Sequence, residues 1–298
     1  LAIDSQTLWD QIERLARALE PAYRRVLPHV LSHAVIGADE TRWRIMGKDG
    51  KPEGGSKWWQ LWVAGCSDAV FYAIQDSRSA NAAATLIGTY EGVVMCDGYT
   101  AYKALQKRGA RYELAHCWAH VRREFLNCEK AFPAESAAAV EKIAALYRVE
   151  ASCPTGPPGD EERRRVRQER SRPILEDFRT WMLATAAAVP PTSALRTALD
   201  YTSGHWSGLV RFVEDPRIPL DNNASERALR GPVVGRKNHC GSKSRRGTEV
   251  AALFYTLLES AALAGVEPAT YLRAATAAAL RGETIPLPHE IAASADQP

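Results

Sequence analysis

The chain opens on a helical rhythm, with Leu8, Ile12, Leu15 and Leu19 recurring at the spacing of one α-helical face. Alternation then takes over. From Val35 to Ile45, Asp39, Thr41, Trp43 and Ile45 point one way and Glu40, Arg42 and Arg44 the other, which predicts a strand. Gly47 to Ser56 is rich in Gly, Lys and Pro and predicts a break. Trp58 to Cys66 and Val70 to Gln75 read as strands joined by a turn at Ser67-Asp68. Ser79 to Tyr90 is Ala-rich and helical, with Ser79 as N-cap. The apolar run Val93-Val94-Met95-Cys96 lacks alternation and suits a strand buried on both faces. A short helix over Thr100 to Lys107, a strand over Tyr112 to Cys117 and a helix over Val121 to Lys130 follow. The order β-β-β-α-β-α-β-α is that of an α/β fold, a mixed sheet flanked by helices.

Beyond residue 130 the pattern is helical. Ala134 to about Val213 carries no strand signal and is interrupted at Pro154-Thr155-Gly156-Pro157-Pro158-Gly159; Asp160 to Arg172 reads as a charged helix surface. Gly247 to Gly265 predicts a long apolar helix with a Gly C-cap, Pro268 opens another, and the tail beyond Pro286 reads as loose. The expected domains are a helical segment over 1–33, a core over 34–130, a helical insertion over 131–219, the rest of the core over 220–265, and a C-terminal helix and tail over 266–298.

Composition changes this picture little. The 298 residues are 46% hydrophobic and 24% charged, an ordinary globular balance, and a net charge of +3 puts the weight on where the charges sit. None of the six cysteines forms a C-x-x-C pair, so a reduced cytoplasmic protein is expected. No apolar run reaches the roughly 20 residues that span a bilayer. The chain begins without Met and is expected to be a piece of something longer.

Three carboxylates carry the candidate chemistry, each with a bland alternative. Asp39 lies mid-strand beside Trp43 and Ile45, either as a structural hydrogen-bonding residue or as a metal ligand. Asp97 ends an apolar strand before Gly98, where ligands gather in α/β sheets and where Asp-Gly also starts turns. Glu226 follows a capping Asp221 or Asn222 on a helix whose Asn223, Glu226, Arg227 and Arg230 share a face, which is equally the pattern of a solvated face. Oxygen ligands of this kind suit Mg²⁺ or Mn²⁺, and two such ions clamp the attacking and leaving oxygens of a phosphoryl displacement.

From Arg227 to Arg246 the chain carries Arg227, Arg230, Arg236, Lys237, Lys243, Arg245 and Arg246 and no acid. Such a run is expected to cradle phosphates, with Gly231, Gly235, Gly241 and Gly247 admitting nucleic acid close to the backbone. His116-Cys117-Trp118-Ala119-His120 lacks partners at structural-zinc spacing. The roles assigned there are a buried strand end for Cys117 and Trp118, a supporting metal-proximal role for His120, and phosphate contacts at a helix start for Arg122 and Arg123.

An ordered set of segments resembles the insertion sequence 66 family of bacterial DDE transposases. The segments are Ala38-Asp39-Glu40-Thr41, Gln60-Leu61-Trp62-Val63, Asp97-Gly98-Tyr99-Thr100-Ala101-Tyr102, Cys117-Trp118-Ala119-His120-Val121-Arg122-Arg123-Glu124-Phe125, Leu146-Tyr147-Arg148-Val149-Glu150, Asp221-Asn222-Asn223-Ala224-Ser225-Glu226-Arg227-Ala228, Gly235-Arg236-Lys237-Asn238 and Tyr271-Leu272. The resemblance implies a ribonuclease H-like mixed sheet with an all-helical insertion before the last catalytic helix. It implies Asp39, Asp97 and Glu226 as catalytic triad and ligands of two Mg²⁺ (or Mn²⁺) ions per active site. It further implies DNA contacts from Arg122, Arg123, Asn223, Arg227, Arg230, Arg236 and Lys237, with double-stranded transposon ends and target as partners. A homodimer on DNA and a place in the bacterial cytoplasm, at the nucleoid, follow from the same resemblance. Family members usually carry further N-terminal sequence thought to bind DNA, which is not expected in this chain. The competing readings are a ribonuclease H-like nuclease, a catalytically silent domesticated DNA-binding protein and, more distantly, zinc-dependent hydrolysis built on His116, Cys117 and His120.

Overall fold

A computed structural model describes residues 3–47 and 58–295. The break expected at Gly47 to Ser56 therefore lies, from residue 48 onward, outside the described residues. In chain order the elements are α1 (Ser5–Leu31), β1 (Val35–Arg44), β2 (Trp58–Gly65), β3 (Val70–Gln75), α2 (Ala80–Ile87), β4 (Val93–Cys96), α3 (Thr100–Lys107), β5 (Glu113–His116), α4 (Trp118–Asn127), α5 (Pro133–Ala151), α6 (Asp160–Val166), α7 (Arg172–Ala188), α8 (Ala194–Leu209), α9 (Asn223–His239), α10 (Arg245–Leu263), α11 (Pro268–Leu280) and α12 (Pro288–Ala295). Parallel and antiparallel strand pairs both occur, so the fold is mixed α/β and mostly helical. Among the described residues no single helix is long and apolar enough to cross a membrane.

The chain divides into two compact units. The first takes the described residues of Leu1–Gly92, Ala101–Arg111 and Asn223–Pro298. Its sheet is antiparallel: Asp39 stands opposite Val63, and Val63 opposite Tyr72. One face packs Trp43, Ile45, Trp59, Leu61, Val63, Val70 and Tyr72 against Leu229 of α9 and Ala252 of α10. The outer edge of β3 is closed by side chains. Ser260 Oγ accepts from Val70 N at 3.0 Å and donates to Val70 O at 2.9 Å. Thr256 Oγ1 accepts from Tyr72 N at 2.9 Å, and Tyr23 Oη of α1 donates to Tyr72 O at 2.8 Å.

β1 alternates as expected, but the buried face changes along it. Ile36, Ala38 and Glu40 are buried on one side, then Trp43 and Ile45 on the other. Asp39 is only half-buried, and the buried acid is Glu40. Glu40 is held by Arg78 Nη2 at 2.5 Å and by Tyr102 Oη at 3.2 Å, which offset its desolvation.

The C-terminal tail departs from expectation. It forms α12, with Glu290 accepting from Leu287 N at 2.6 Å, pairing with Arg25 at 2.6 Å, and His289 stacked on His29 at 3.6 Å. These contacts order a segment whose Pro- and Ala-rich composition gave no such signal.

The second unit takes Val93–Thr100 and Tyr112–Asn222. β4 and β5 pair in parallel, Cys96 opposite His116. Helices α4, α7 and α8 meet in an aromatic core of Trp118, Phe125, Phe178, Trp181 and Trp206. The Arg-rich segment is a charged surface only in part. Arg164 and Arg165 pair along the helix with Glu161, Glu162 and Glu169. Arg167, 1% exposed, turns inward, bonds both oxygens of Glu150 at 2.8 and 2.6 Å, and donates to Phe212 O at 2.8 Å. A five-residue π-helical turn over Arg167–Ser171 gives the local geometry for that inward turn.

Two outcomes follow for stability. Converting Ser260→Ala and Thr256→Val strands buried backbone groups of β3 and should lower unfolding stability by about 1–3 kcal/mol per group, read by urea denaturation. Glu150→Ala leaves Arg167 buried without its counter-charge and should cost about 3–5 kcal/mol, whereas the double change Glu150→Met/Arg167→Met should recover most of that loss.

Candidate active site

In the first unit, Asp39 lies on the sheet face that α9 covers. The row Asp39–Val63–Tyr72 crosses all three strands, and Tyr72 Oη donates to the Ala228 carbonyl at 2.6 Å, two residues beyond Glu226. The helix runs along β1 in a readable direction. His239 sits by Trp43, with ring centroids 5.7 Å apart, and Arg236 Nη1 donates to Thr41 Oγ1 at 3.2 Å. Moving back along α9 therefore carries Glu226 towards the Asp39 end of the strand. Both carboxylates are half-buried. Asp39 Oδ1 accepts from Glu40 N at 2.7 Å, which orients its carboxylate.

The basic stretch is helical well beyond where the sequence suggested. Asn223–His239 is one helix and includes Gly231, Pro232 and Gly235. Ser225, Leu229 and Pro232 form its buried stripe, while Arg227, Arg230 and Lys237 fall on one exposed stripe with Val234. Arg236 belongs to neither; it is half-buried against Thr41, and burial draws its pKa below the ordinary guanidinium value.

Gly231, Gly235 and Gly241 do not open the backbone to nucleic acid as expected, because protein occupies the space beside them. A Cβ on Gly231 would stand 2.2 Å from Glu259 Oε1, and one on Gly235 1.9 Å from Tyr255 Oη, so both let α9 approach α10. Gly241, at φ +92°, brings the chain against the Arg44 carbonyl, and Gly247 donates its N–H to the Ser244 cap of α10.

In the second unit, Asp97 follows β4 and is half-buried. Its Oδ1 accepts from Tyr99 N at 2.9 Å, an Asx-type turn, and its carbonyl accepts from Tyr201 Oη at 2.5 Å. Burial, reinforced by the Asp97 charge, raises the Tyr201 phenol, so it remains a donor. Gly98 adopts φ +97° and meets His205: a Cβ there would stand 2.6 Å from Nε2. His205 Nδ1 donates to the Tyr201 carbonyl at 2.7 Å, which orients the ring. His116 packs edge-on against His205 at 4.5 Å. Sequence reading missed Tyr201 and His205. Their signal was the polar aromatic pair at i and i+4 on one face of α8.

The motif around Cys117 serves packing. Cys117 is buried and its Sγ accepts from Asn222 N at 3.2 Å; burial pushes its thiol up to about 11. Trp118 donates through its backbone to Leu220 O at 3.0 Å and through Nε1 to Leu209 O at 2.9 Å. Asp221 accepts from Tyr147 Oη at 2.9 Å. His120 is half-buried on α4. That helix starts at Trp118, so the exposed Arg122 and Arg123 lie in its second turn; they offer side-chain charge and not the helix start expected of them.

Residues 1–250 match the family model described as Transposase IS66 family. The chain is 32% identical over 287 residues to a protein of Sinorhizobium fredii (strain NBRC 101917 / NGR234) named Uncharacterized protein y4jD, covering 91% of this chain and 55% of that protein. It is 27% identical over 296 residues to Uncharacterized protein y4hP of the same organism, covering 91% and 52%. The chain thus spans about half the length of these relatives. With a family match over most of its length, this chain belongs to the IS66 family of transposases.

Proposed function

We propose that this chain is the catalytic part of a DDE transposase on a ribonuclease H-like core, cleaving phosphodiester bonds at insertion-sequence ends and joining them to target DNA. Asp39, Asp97 and Glu226 are the triad, and together they hold two Mg²⁺ or Mn²⁺ ions. The observation that carries this reading is the position of Asp39 on the face covered by α9, with Glu226 in that helix's first turn. The donor set fits the ions: three carboxylates and no thiolate or imidazole, the hard oxygen ligands that Mg²⁺ and Mn²⁺ take. Bound there, the ions would supply a nucleophilic water of lowered pKa and charge neutralisation for in-line displacement at phosphorus.

The remaining work falls to the chain. Glu40 N–H and Tyr99 N–H each hold one carboxylate oxygen, of Asp39 and Asp97 respectively, so two ligands are pre-oriented by their own backbone. Tyr201 and Gly98 fix the turn that carries Asp97. Arg227, Arg230 and Lys237 present a one-signed stripe to phosphates, and Arg122, Arg123, Asn223 and Arg236 add further contacts. His120 supports the metal ligands. Double-stranded DNA is the partner, met as a homodimer in the bacterial cytoplasm.

Asp39→Asn, Asp97→Asn and Glu226→Gln should each lower Mn²⁺- or Mg²⁺-dependent nicking of supercoiled plasmid by about a hundredfold or more, beyond the roughly 10–100-fold lost with an outer-layer partner. Near-wild-type nicking by a folded variant strikes that residue from the triad; nicking without joining of cut ends to a target favours a hydrolytic nuclease. The triple variant Arg227→Ala/Arg230→Ala/Lys237→Ala should flatten the plot of log binding constant against log salt by about one unit per charge removed. An unchanged slope would take the α9 stripe out of the DNA interface.

A further inference from the structure

Away from the carboxylates, the end of α1 and the turn between β2 and β3 bring four metal-ligating side chains together. His29 lies in the last turn of α1 and His33 just past its end, and Cys66 and Asp68 lie between β2 and β3. One ligand atom from each falls within 4.8 Å of all the others. His29 Nε2 is 3.0 Å, His33 Nε2 3.6 Å and Cys66 Sγ 3.1 Å from Asp68 Oδ1.

These separations are close to what a tetrahedral ion needs. With Zn–N, Zn–O and Zn–S bonds of about 2.0–2.3 Å, neighbouring ligand atoms sit roughly 3.3–3.8 Å apart. Small rotamer adjustments around Asp68 would open that space. The ligand types, two imidazoles, a thiol and a carboxylate, also match zinc.

The outer layer is built as metal-bound imidazoles require. His33 Nδ1 lies 3.1 Å from the His29 carbonyl, so Nδ1 carries the proton and Nε2 turns its lone pair to the cluster. His289 stacks on the His29 ring at 3.6 Å with planes 9° apart, which fixes that ring's plane. His29, His33 and Asp68 are 20%, 29% and 34% exposed, sheltered yet reachable by an ion.

We propose that His29 Nε2, His33 Nε2, Cys66 Sγ and the Asp68 carboxylate form a tetrahedral Zn²⁺ site that fastens the C-terminal end of α1 to the β2–β3 turn. All four ligands come from protein, so the site is closed and structural, the arrangement of zinc sites that stabilise folds rather than react. Its donor set differs from the all-oxygen set of the proposed triad, and neither site depends on the other.

The test is metal content and cobalt spectroscopy on the purified chain. Protein prepared without chelator should carry one Zn²⁺ per chain by mass spectrometry. Exchange with Co²⁺ should give intense tetrahedral d–d bands and a thiolate-to-cobalt charge-transfer band. Cys66→Ser should lose the charge-transfer band, and His33→Ala should lose the stoichiometric ion. The triple variant Asp39→Asn/Asp97→Asn/Glu226→Gln should keep both metal content and spectrum. Wild-type protein that takes up neither Zn²⁺ nor Co²⁺ overturns the site and leaves the four residues a hydrogen-bonded cluster. Retention of the charge-transfer band in folded Cys66→Ser also overturns it.

Discussion

A strand at the edge of a sheet leaves every second N–H and C=O without a neighbour, and such groups must be bonded when they are buried. In the first unit β3 meets this demand with side chains. Val70 is satisfied in both directions by one hydroxyl, Ser260, and Tyr72 by Thr256 on one group and Tyr23 on the other. The consequence reaches beyond hydrogen bonding. Ser260 and Thr256 are one turn apart on α10, so two adjacent outward-facing strand residues dictate that helix's line along the edge. Tyr23 does the same for α1. With α10 fixed, Gly231 and Gly235 let α9 lie close against it, and Tyr72 Oη pins α9 at Ala228. Glu226 is thus held on the Asp39 face through a chain of contacts that begins at a sheet edge.

The two units prepare their carboxylates by similar means. Asp39 and Asp97 each accept a nearby backbone N–H, so each has its orientation set locally. Their surroundings differ. Asp39 neighbours a fully engaged acid: Glu40 points to the opposite face and is neutralised there by Arg78, which keeps its charge from competing with the Asp39 face. Asp97 sits at a glycine turn braced by Tyr201 and His205, and among the described residues no guanidinium or ammonium group pairs with its carboxylate. A ligand for a divalent ion needs that condition, since a carboxylate already locked to an arginine has little left to offer.

Elements with a strong period were legible in the sequence. The first helix, the five strands and the apolar helix after Gly247 all announced themselves by spacing or by unbroken apolar runs. What escaped was set by distant contacts. The Gly-Pro and Gly residues within α9 argue for a loop on local grounds and become helix because Glu259 and Tyr255 fill the space beside them. Glu40 and Asp39 exchange the expected burial because the covered face changes halfway along β1, which alternation alone does not reveal. Tyr201 and His205 sit far in sequence from Asp97, and His29 and His33 are far from Cys66 and Asp68. In both cases a fold must intervene before the grouping exists.

The segments that carry the family resemblance divide by role, and the division bears on what such motifs mean. Tyr147 holds Asp221, Glu150 neutralises Arg167, Cys117 Sγ takes the Asn222 N–H, and the backbone of Trp118 donates to Leu220. All of these lie in the second unit, and four of the eight partners lie in the matched segments that precede residue 151. Three of the four converge on Leu220, Asp221 and Asn222, the three residues that lead into α9. Cys117, Trp118 and Tyr147 therefore act as motif residues by holding the chain just before Asn223. Leu220, Asp221 and Asn222 lie in no regular element of their own, so these bonds help to set their course. The resemblance of these segments to a family thus reflects packing as much as chemistry, since these side chains bond to backbone and to one another.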